Sequence, residues 1–434
     1  MTTSHRLSRR TLLRATAAAG GAALLSSCAR GPGGAVDLAY WNFFTGSDGE
    51  LMVGLVDDYR AEAPGVRLTD TTLMWGPPYY TKLAMACAGG RAPDLATLHA
   101  SRLSTFGTDL LDEWDLDELA ARGVSLEEFP EPVLRRVQID GRLMALPLDT
   151  HPMVLFYNTD ICERAGLLAP DGTLAPIESA EQMLDAGRRA AEVTGANGIA
   201  FGSADNLGGW MLFWSLFRQL GGQMRLPDGG PAEVDRGAMV QAMSFMRDMA
   251  DGTIASPTLD GQAASAAFAS QQAGLFIFGP WEFTTAKTAE IPFSMTQFPA
   301  LFGDTPYVRA DSHSFVLPAQ AQVDPAARSA AYDMAVSMLR HSLSWATGGG
   351  HIPALSAVAE SPEYVSHQPI SNYREAAQVV EFDPEAYFSG SGSTLMSRAG
   401  QSLQGVTSRA LTPEQGADDL IGWLDEQLTF GSPL

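Results

Sequence analysis

The sequence VDLAYW, residues 36–41, gives the first indication of the class of fold. Apolar and other residues alternate along it, which predicts a β-strand. The pattern SDGE at residues 47–50 then predicts a helix start, because the serine oxygen can accept a helix-start N–H and the glutamate can reach back. Strand, helix, strand, helix and strand follow one another as far as Leu98. This order is typical of an open, largely parallel α/β sheet.

Downstream, the pattern predicts a crossing point followed by a more helical region. Strands at 141–148 and 152–157 are separated by the polar segment 149–151, which indicates a crossover between domains. Residues 208–221 are apolar on nearly all sides, and this predicts a buried helix. Capping boxes at residues 179–182 and 412–415 predict two more helix starts, the second with proline at the first helical position.

Length and composition narrow the possible classes of protein. A chain of 434 residues is too long for one core, so two domains are expected. The net charge of −22 argues against nucleic acid and anionic lipid surfaces as partners. Three cysteines exclude a disulfide scaffold. Cys87 and Cys162 are predicted to be buried thiols, although an oxidising compartment would permit a bridge.

The N-terminus predicts export. Arginines at positions 6, 9, 10 and 14 precede the apolar run 15–25, which is too short to span a bilayer. Residues 1–27 are therefore interpreted as a secretory signal. Residues 8–13 resemble a twin-arginine signal. Leu25-Ser26-Ser27-Cys28 resembles a lipobox, which implies acylation of Cys28; the alternative is a plain signal with an incidental cysteine. Residues 28–35 are predicted to form a flexible tether.

Several short motifs occur in an order and spacing that match a known family. They are Tyr40-Trp41, GSDG at 46–49, YYTKL at 79–83, APDL at 92–95, LPL at 146–148, FYNTD at 156–160 and GPW at 279–281. Together they resemble the extracellular solute-binding proteins of carbohydrate ABC importers, of the maltose-binding-protein type. The resemblance covers nearly the whole chain after the signal.

The resemblance implies a two-lobed periplasmic-binding-protein-like α/β fold. Each lobe is expected to hold a mostly parallel sheet flanked by helices, and crossing hinge segments are expected to join the lobes. Carried onto this chain, the implied boundaries are 36–149 and 312–352 for lobe one, 153–308 and 356–434 for lobe two, and 149–151, 309–311 and 351–355 for the hinges.

The resemblance also implies a function. The chain would be a monomeric, lipid-anchored receptor on the outer face of the cell membrane. It would bind a mono- or oligosaccharide between its lobes and deliver it to the permease of an ABC transporter. No enzymatic activity, cofactor or metal is expected.

A sugar site needs aromatic plates for C–H faces and fixed polar groups for hydroxyls. In open α/β sheets such sites lie at the carboxyl ends of strands. Candidate residues of these types, at predicted strand ends and crossovers, are Trp41, Asn42, Asp48, Trp75, His99, Arg102, Asp149, His151, Trp210, Trp281, Glu282, Asp311 and His313. Phe44 is an alternative to Trp41 as a plate, and Trp281 matches the family's sugar-stacking tryptophan.

Each candidate also has a structural interpretation. The tryptophans could belong to the core, Asp48 could serve only the helix start, and Arg102 could form a surface salt bridge. Asp149 and Asp311 could belong to a hydrogen-bond network at the hinge.

Three other functions are compatible with parts of the pattern. A glycoside hydrolase needs two carboxylates about 5–10 Å apart, and Asp149, Glu282 and Asp311 could supply them, but no catalytic motif selects a pair. A metal-binding lipoprotein could use the histidines at 99, 151, 313 and 351, yet none has the local pairing of zinc sites. A glycerol phosphate receptor would need converging cations, and only Arg102 is placed as one, so a neutral sugar is favoured.

Overall fold

The computed structural model describes residues 34–431. The predictions of a signal at 1–27, of a lipidated Cys28 and of a tether over most of 28–35 lie outside the described residues. Within the described range, no helix combines the length and the apolar character that crossing a membrane requires.

The first sheet is built around the opening strand Val36–Asn42. This strand pairs in parallel with Val66–Thr72 and with Leu95–His99. His313–Pro318 adds on the far side of Leu95–His99 in the antiparallel direction. The short strands Leu111–Asp112 and Leu146–Pro147 pair with His313–Pro318. The helices whose apolar faces pack with this sheet are Gly46–Glu62, Pro77–Ala88, Leu103–Phe106, Leu116–Ala121, Glu131–Val137, Pro325–Arg340, Ser342–Gly349 and Ser356–Ala359.

The second sheet has the order Ile199–Phe201, Leu275–Phe278, Val154–Asn158 and Phe293–Gln297. Its first two strands run in parallel, and its other pairings are antiparallel. The helices that accompany it are Thr159–Arg164, Ala180–Thr194, Asn206–Gln219, Arg236–Met249, Gly261–Ala269, Phe283–Thr288, Pro362–Val365, Thr394–Thr407 and Pro413–Leu428. Two short antiparallel pairs lie outside these two sheets. One joins Gln138–Ile139 to Arg142–Leu143, and the other joins Met224–Arg225 to Glu233–Val234.

Buried side chains of residues 34–431 form two separate cores, one on each sheet. The predicted buried helix, Asn206–Gln219, lies in the second core with nearly every residue buried. Cys87 lies in the first core and Cys162 in the second, so the two thiols do not pair. Burial raises the pKa of Cys87 to about 11 and that of Cys162 to about 12, so both are unreactive thiols.

A third sheet is made where the chain passes between the cores. Asp149–Pro152 lies between Ile352–Pro353 and Val308–Asp311, and Val380–Glu381 pairs with Val308–Asp311 on the far side, so Ile352–Pro353 and Val380–Glu381 form the two edges. Asp311 is paired with His151, and Ile352 is paired with Thr150. The three segments predicted as crossings therefore lie side by side. Because they form one hydrogen-bonded sheet, the side chains that they carry are held at fixed distances.

Two predictions about the sheets and helices are wrong in detail. The larger sheets are mixed rather than mostly parallel. His313–Pro318 enters the first sheet in the antiparallel direction after the chain has returned from the second core, and Val154–Asn158 is antiparallel to both of its neighbours in the second sheet. Helix Gly46–Glu62 begins before the predicted capping box: Thr45 is the N-cap, without a side-chain bond, and Ser47 lies inside the first turn.

The other two capping boxes are closer to the prediction. Thr412 Oγ1 accepts from the backbone N–H of Gln415 at 3.2 Å, and Gln415 Oε1 accepts from that of Thr412 at 2.9 Å, so this box is confirmed. Ser179 caps its helix by accepting from Gln182 N, but the Gln182 side chain accepts from Glu178 instead.

Replacing Thr412 with alanine should lower the free energy of unfolding by about 1 kcal/mol, because a helix-start N–H loses its acceptor. Ser47→Ala is the matched control, since Ser47 caps nothing, and it should change stability by less than about 0.5 kcal/mol. Urea unfolding measures both. Equal losses in the two variants would contradict the observed helix boundaries.

Candidate functional site

A cavity of about 290 Å³ lies between the two cores, against the crossing sheet. Its lining comes from both sides and from the crossing segments: Phe43, Phe44, Thr45, Asp48, Trp75, His99, His151, Leu207, Trp281, Arg309, His313 and Ser391. Six of the predicted site residues are in this lining, namely Asp48, Trp75, His99, His151, Trp281 and His313.

The turn after the first strand brings two phenylalanines to the cavity. Asn42 is buried at the strand's end, and its Oδ1 accepts from Phe44 N at 3.1 Å and from Thr72 Oγ1 at 3.2 Å. These bonds fix the turn. Asn42 therefore positions Phe43 and Phe44, which line the cavity, but does not line it itself. Phe43 and Phe44 pack together with ring centroids 4.9 Å apart, and Phe43 stacks on His99 at 4.8 Å.

Trp281 supplies an aromatic face from the second core. It follows the strand Leu275–Phe278 in a 3-10 turn that begins at Pro280. A Cβ atom at Gly279 would come within 2.0 Å of the indole, so only glycine lets this ring fold back against the chain. Its ring lies 5.9 Å from that of His151. The cavity is therefore bordered by aromatic rings from both cores.

The buried carboxylate of Asp149 organises the histidines beneath the cavity. Its Oδ1 accepts from His313 N at 2.9 Å and lies 3.0 Å from His151 Nδ1. Its Oδ2 accepts from Trp345 Nε1 at 2.7 Å and lies 2.7 Å from His313 Nδ1. Burial alone would raise the pKa of Asp149, but the imidazoles of His313, His151 and His351 hold it well below its usual value.

Two histidines of the lining are neutral at neutral pH. Burial, reinforced by the neighbouring His313, lowers the pKa of His151 to about 4. Burial likewise holds the pKa of His99 well below its usual value. Nδ1 of His99 lies 2.7 Å from the hydroxyl of Tyr80. Each neutral ring offers one donor and one acceptor, which is the pattern that a hydroxyl group requires.

His351 is buried just below the lining, between two carboxylates. Its Nε2 lies 3.3 Å from Asp48 Oδ1, and its Nδ1 lies 3.8 Å from Asp149 Oδ2. Burial opposes a charged imidazole here, but the nearby charges of Asp48 and Asp149 outweigh burial and raise the pKa of His351. This part of the site therefore favours positive charge.

Arg309 brings a guanidinium to the cavity whose charge is already compensated. It is buried, and it donates to Asp383 from Nε at 3.0 Å and from Nη2 at 2.8 Å. Its Nη2 also lies 3.4 Å from Asp311 Oδ2. Among the cavity-lining residues of the described chain, it is the only Lys or Arg. The cavity thus holds no uncompensated cation from these residues.

Direct hydrogen bonds join the two sides of the cavity. Ser391 N donates to Ser101 Oγ at 2.9 Å, and Thr284 Oγ1 donates to the carbonyl of Gly348 at 3.0 Å. Gly390 has a φ of +96°, and a Cβ atom there would lie 2.4 Å from the Ser101 carbonyl oxygen. Glycine is therefore what permits this close approach of the two sides.

The other predicted site residues do not line the cavity. They are Trp41, Asn42, Arg102, Asp149, Trp210, Glu282 and Asp311. Trp210 lies inside the second core, and its Nε1 donates to Asp383 at 2.8 Å. Arg102 is buried rather than at the surface, and its Nη1 donates to the Ser389 carbonyl at 3.0 Å.

The remaining three of these residues have partners of their own. Glu282 accepts from Ser265 Oγ at 2.5 Å. Asp311 is buried and accepts from the backbone N–H of Ser101 at 3.0 Å. Trp41 packs against the first core, with the ammonium of Lys82 above its ring.

Some residues that line the cavity are absent from the predicted set: Phe43, Thr45, Leu207, Arg309 and Ser391. Phe43 and Thr45 lie in the predicted strand-end segment, and Arg309 begins a predicted crossing, so position alone could have indicated them. Leu207 and Ser391 carry no comparable signal, because Leu207 reaches the cavity through the packing of its helix and Ser391 through the turn that precedes the helix Thr394–Thr407.

Comparison with known proteins identifies the family. Residues 54–370 match the family model described as bacterial extracellular solute-binding protein. The chain belongs to this family. Its members are extracellular, which places the protein outside the cytoplasm. The predicted family and the predicted two-lobed α/β class are both confirmed.

Solved structures of similar architecture include proteins with a bound sugar or sugar analogue. The GacH receptor of Streptomyces glaucescens GLA.O, solved unliganded and with acarbose, matches with a TM-score of 0.74 at 18% identity, covering 90% of this chain and 98% of that one. Maltose-bound MalE3 of T. maritima matches with a TM-score of 0.75 at 16% identity, covering 90% and 99%. At these identities the likeness shows the fold.

Among curated proteins, the arabinooligosaccharide-binding protein of Bacillus subtilis (strain 168) is 26% identical over 169 residues. The alignment covers 38% of this chain and 37% of that relative, so it spans little more than a third of either protein.

Replacing Asp149 with asparagine should lower the free energy of unfolding by about 3 kcal/mol or more, because the amide NH₂ would face a buried N–H donor and the ionic acceptor would be lost. Asp37→Asn is the control, since Asp37 pairs with Arg67 with half of each side chain exposed, and it should cost less than about 1 kcal/mol. Denaturant unfolding measures the free energy of unfolding of both variants, with a chelator present so that any metal ion in the buffer does not affect the comparison. Similar values for the two variants would contradict the role given to Asp149.

Proposed function

We propose that this solute-binding protein is the receptor of an ABC importer, that it binds a short neutral saccharide in the cavity between its cores, and that it delivers the sugar to a membrane permease. The observation that carries the proposal is the composition of the cavity. Aromatic rings from both cores surround hydrogen-bonding groups whose charges are compensated.

The aromatic rings match the apolar faces of a sugar. Phe43 and Phe44 border the cavity from the first core, and Trp281 borders it from the second. Trp75 lines it as well and is 39% exposed, which leaves ring surface available to a ligand. A pyranose or furanose ring held between such faces buries its C–H groups from water.

Polar groups of the lining match the hydroxyls of a sugar. Asp48 offers carboxylate oxygens, and Thr45 and Ser391 lie on opposite sides of the cavity. His151 and His313 add imidazole nitrogens from the crossing segments. The volume of about 290 Å³ is at the lower end of the range of about 300–1,000 Å³ for small-molecule sites, so a short saccharide fits better than a long one.

Charge compensation favours a neutral ligand over a glycerol phosphate. An anionic ligand would need converging cations or a helix N-terminus without a competing carboxylate. Arg309 is instead bound to Asp383 and Asp311, and the first helical turn near the cavity carries Asp48. A phosphate group would meet more negative than free positive charge.

The carboxylates also disfavour a glycoside hydrolase. Hydrolysis needs an acid and a second carboxylate on either side of the scissile bond. Asp48 is the only carboxylate among the lining residues that the structure describes. Asp149 and Asp311 are buried and bonded, and Glu282 is held by Ser265 outside the lining. These carboxylates therefore position other groups.

The sugars named for similar proteins guide the choice of ligands to test. Arabinooligosaccharides are named for the B. subtilis relative, and acarbose and maltose for the structural neighbours. A thermal-shift screen over pentose and hexose saccharides is the first step, since a ligand at a hundred times its Kd adds about 2.7 kcal/mol of stability.

We further propose that the receptor is exported with a twin-arginine signal and held at the outer face of the membrane by acylation of Cys28. The supporting pattern is sequence alone, the basic N-terminus followed by a short apolar run and Leu25-Ser26-Ser27-Cys28. An anchored receptor stays close to its permease, which raises the rate of delivery through effective concentration.

With a saccharide from the screen, Trp281→Ala should weaken binding by about 5- to 150-fold, which corresponds to roughly 1–3 kcal/mol of lost aromatic contact. Trp423→Ala is the matched control. Both tryptophans are half-buried on the second core, but Trp423 does not line the cavity, so its replacement should leave affinity unchanged. Isothermal titration calorimetry measures both.

An unchanged affinity of Trp281→Ala would remove this residue from the sugar site. Binding of glycerol phosphate in preference to every saccharide would overturn the neutral-ligand proposal. Turnover of the saccharide, detected as new reducing ends, would show that the protein is an enzyme and not a receptor.

When the protein is expressed in the bacterium that naturally makes it, Cys28→Ser should abolish incorporation of labelled palmitate and release the protein from the membrane fraction. Cys87→Ser is the control, because that thiol is buried in the first core and is inaccessible to acylation. Labelling that persists in Cys28→Ser would refute the anchor.

A further inference from the structure

We infer that Asp149, His151, His313 and His351 form a binding site for a divalent transition-metal cation of the Zn²⁺ type, at the crossing sheet beneath the sugar cavity. One ligand atom from each of the four lies within 4.8 Å of those of the other three, and all four residues are buried. No local histidine pair indicates the site, because the residues come from three separate segments of the chain and only Asp149 and His151 share one.

The three imidazoles surround a single carboxylate. Nδ1 of His151 lies 3.0 Å from Asp149 Oδ1. Nδ1 of His313 lies 2.7 Å and Nδ1 of His351 lies 3.8 Å from Asp149 Oδ2. Ligand atoms around tetrahedral zinc, at bond lengths of about 2.0–2.2 Å, are separated by roughly 3.3 Å. Small side-chain shifts would therefore bring the four groups into coordination distance.

A buried nitrogen without a partner points to a ligand at this place. Among the described residues, Nδ1 of His351 has no hydrogen-bond partner, although the side chain is fully buried. Leaving a buried polar atom unpaired costs free energy, so such an atom needs a physical reason. A metal ion bound at Nδ1 would use its lone pair and would remove this cost.

The surroundings supply the second shell that metal sites use. Nε2 of His351 lies 3.3 Å from the carboxylate of Asp48, and this arrangement, carboxylate to histidine to metal, orients the ring and increases its basicity. Trp345 Nε1 and His313 N hold the Asp149 carboxylate from behind. Coordination through Nδ1 of His151 and of His313 would require that the proton of each ring lies on Nε2.

The donor set selects the type of cation. Three imidazole nitrogens and one carboxylate oxygen suit Zn²⁺ and neighbouring first-row ions, whereas Ca²⁺ and Mg²⁺ require mostly oxygen ligands. Four protein ligands would close a tetrahedral site, as in structural zinc centres. Two negative carboxylates, Asp149 and Asp48, compensate the added charge.

The position of the site gives it a consequence for the receptor. His151 lies in one crossing strand, His313 follows the second at Asp311, and His351 precedes the third at Ile352. An ion bound to all three would fix these segments relative to one another. The metal would therefore stabilise the crossing sheet at the side of the sugar cavity that His151 and His313 line.

The test uses the full chain, purified without an affinity tag and treated with EDTA. Zn²⁺ titrated into it should bind with a stoichiometry of one and raise the unfolding midpoint, and Co²⁺ should give the intense visible absorption of a four-coordinate ion. Mg²⁺ and Ca²⁺ should produce neither change. His351→Gln, which keeps a polar group toward Asp48, should weaken Zn²⁺ binding by at least about 100-fold, and Asp48→Asn by about 10-fold.

The control is His341→Gln, which removes a histidine that also faces a carboxylate, with Nε2 3.4 Å from Glu62, but lies outside the cluster and is 40% exposed. It should leave Zn²⁺ affinity unchanged, and circular dichroism in EDTA should show that all variants fold. Absence of Zn²⁺ binding, or unaltered affinity in both His351→Gln and Asp48→Asn, would overturn the assignment. Saccharide binding by the metal-free chain is measured in parallel, so the sugar site and the metal site can fail independently.

Discussion

A buried carboxylate cannot be left without partners, and at Asp149 that constraint sets the geometry of the whole site. The side chain is fully buried and lies on an inner strand of the sheet that joins the two cores. Its oxygens are satisfied by groups from His151, His313 and Trp345, which belong to three different segments. Each of these groups is held where the carboxylate needs it. The hydrogen bonds that the buried charge of Asp149 requires thus fix the positions of the side chains beneath the cavity.

A second network controls the charge of the cavity. Arg309 enters the lining, but Asp383 and Asp311 compensate it, and Asp383 also accepts from the indole of Trp210. Asp311 in turn accepts from Ser101 in the first lobe. A strongly acidic protein thereby offers a ligand site with hydrogen-bonding groups and little net charge, which is the environment that a neutral polyol requires. The same two networks tie the crossing segments to both cores.

Local patterns predicted those features that local interactions determine. The opening strand, the buried helix around Trp210 and the capping box at Thr412 each depend on neighbours within a few residues, and each is present. Ser47 shows the limit of such a pattern, because the helix begins one residue earlier at Gly46. The crossing at 149–151 was predictable as well, since a short polar interruption between two apolar strands has few other uses, whereas the crossings at 309–311 and 351–355 were given by the family resemblance.

Partners distant in sequence decided the rest. Trp210, near the start of an apolar helix, and Trp281, just after an apolar strand, are both predicted to stack on sugar, yet one is bonded to Asp383 in the core and the other lines the cavity. Arg102 is predicted as a cleft or surface cation, but its guanidinium reaches Ser389, 287 positions along the chain. No metal site is predicted from the sequence, because no two histidines have the local spacing of a zinc site. The structure nevertheless brings three histidines together around Asp149. Only tertiary contacts contain this information.

We propose that the two lobes close on a neutral saccharide held at the crossing sheet. Small-angle X-ray scattering of the chain, with and without a saturating saccharide, tests it most directly. We expect the radius of gyration to fall when the sugar is added, because the ligand contacts both lobes and favours the closed form. An unchanged radius of gyration with a sugar that calorimetry shows to be bound would contradict closure of the lobes on the ligand.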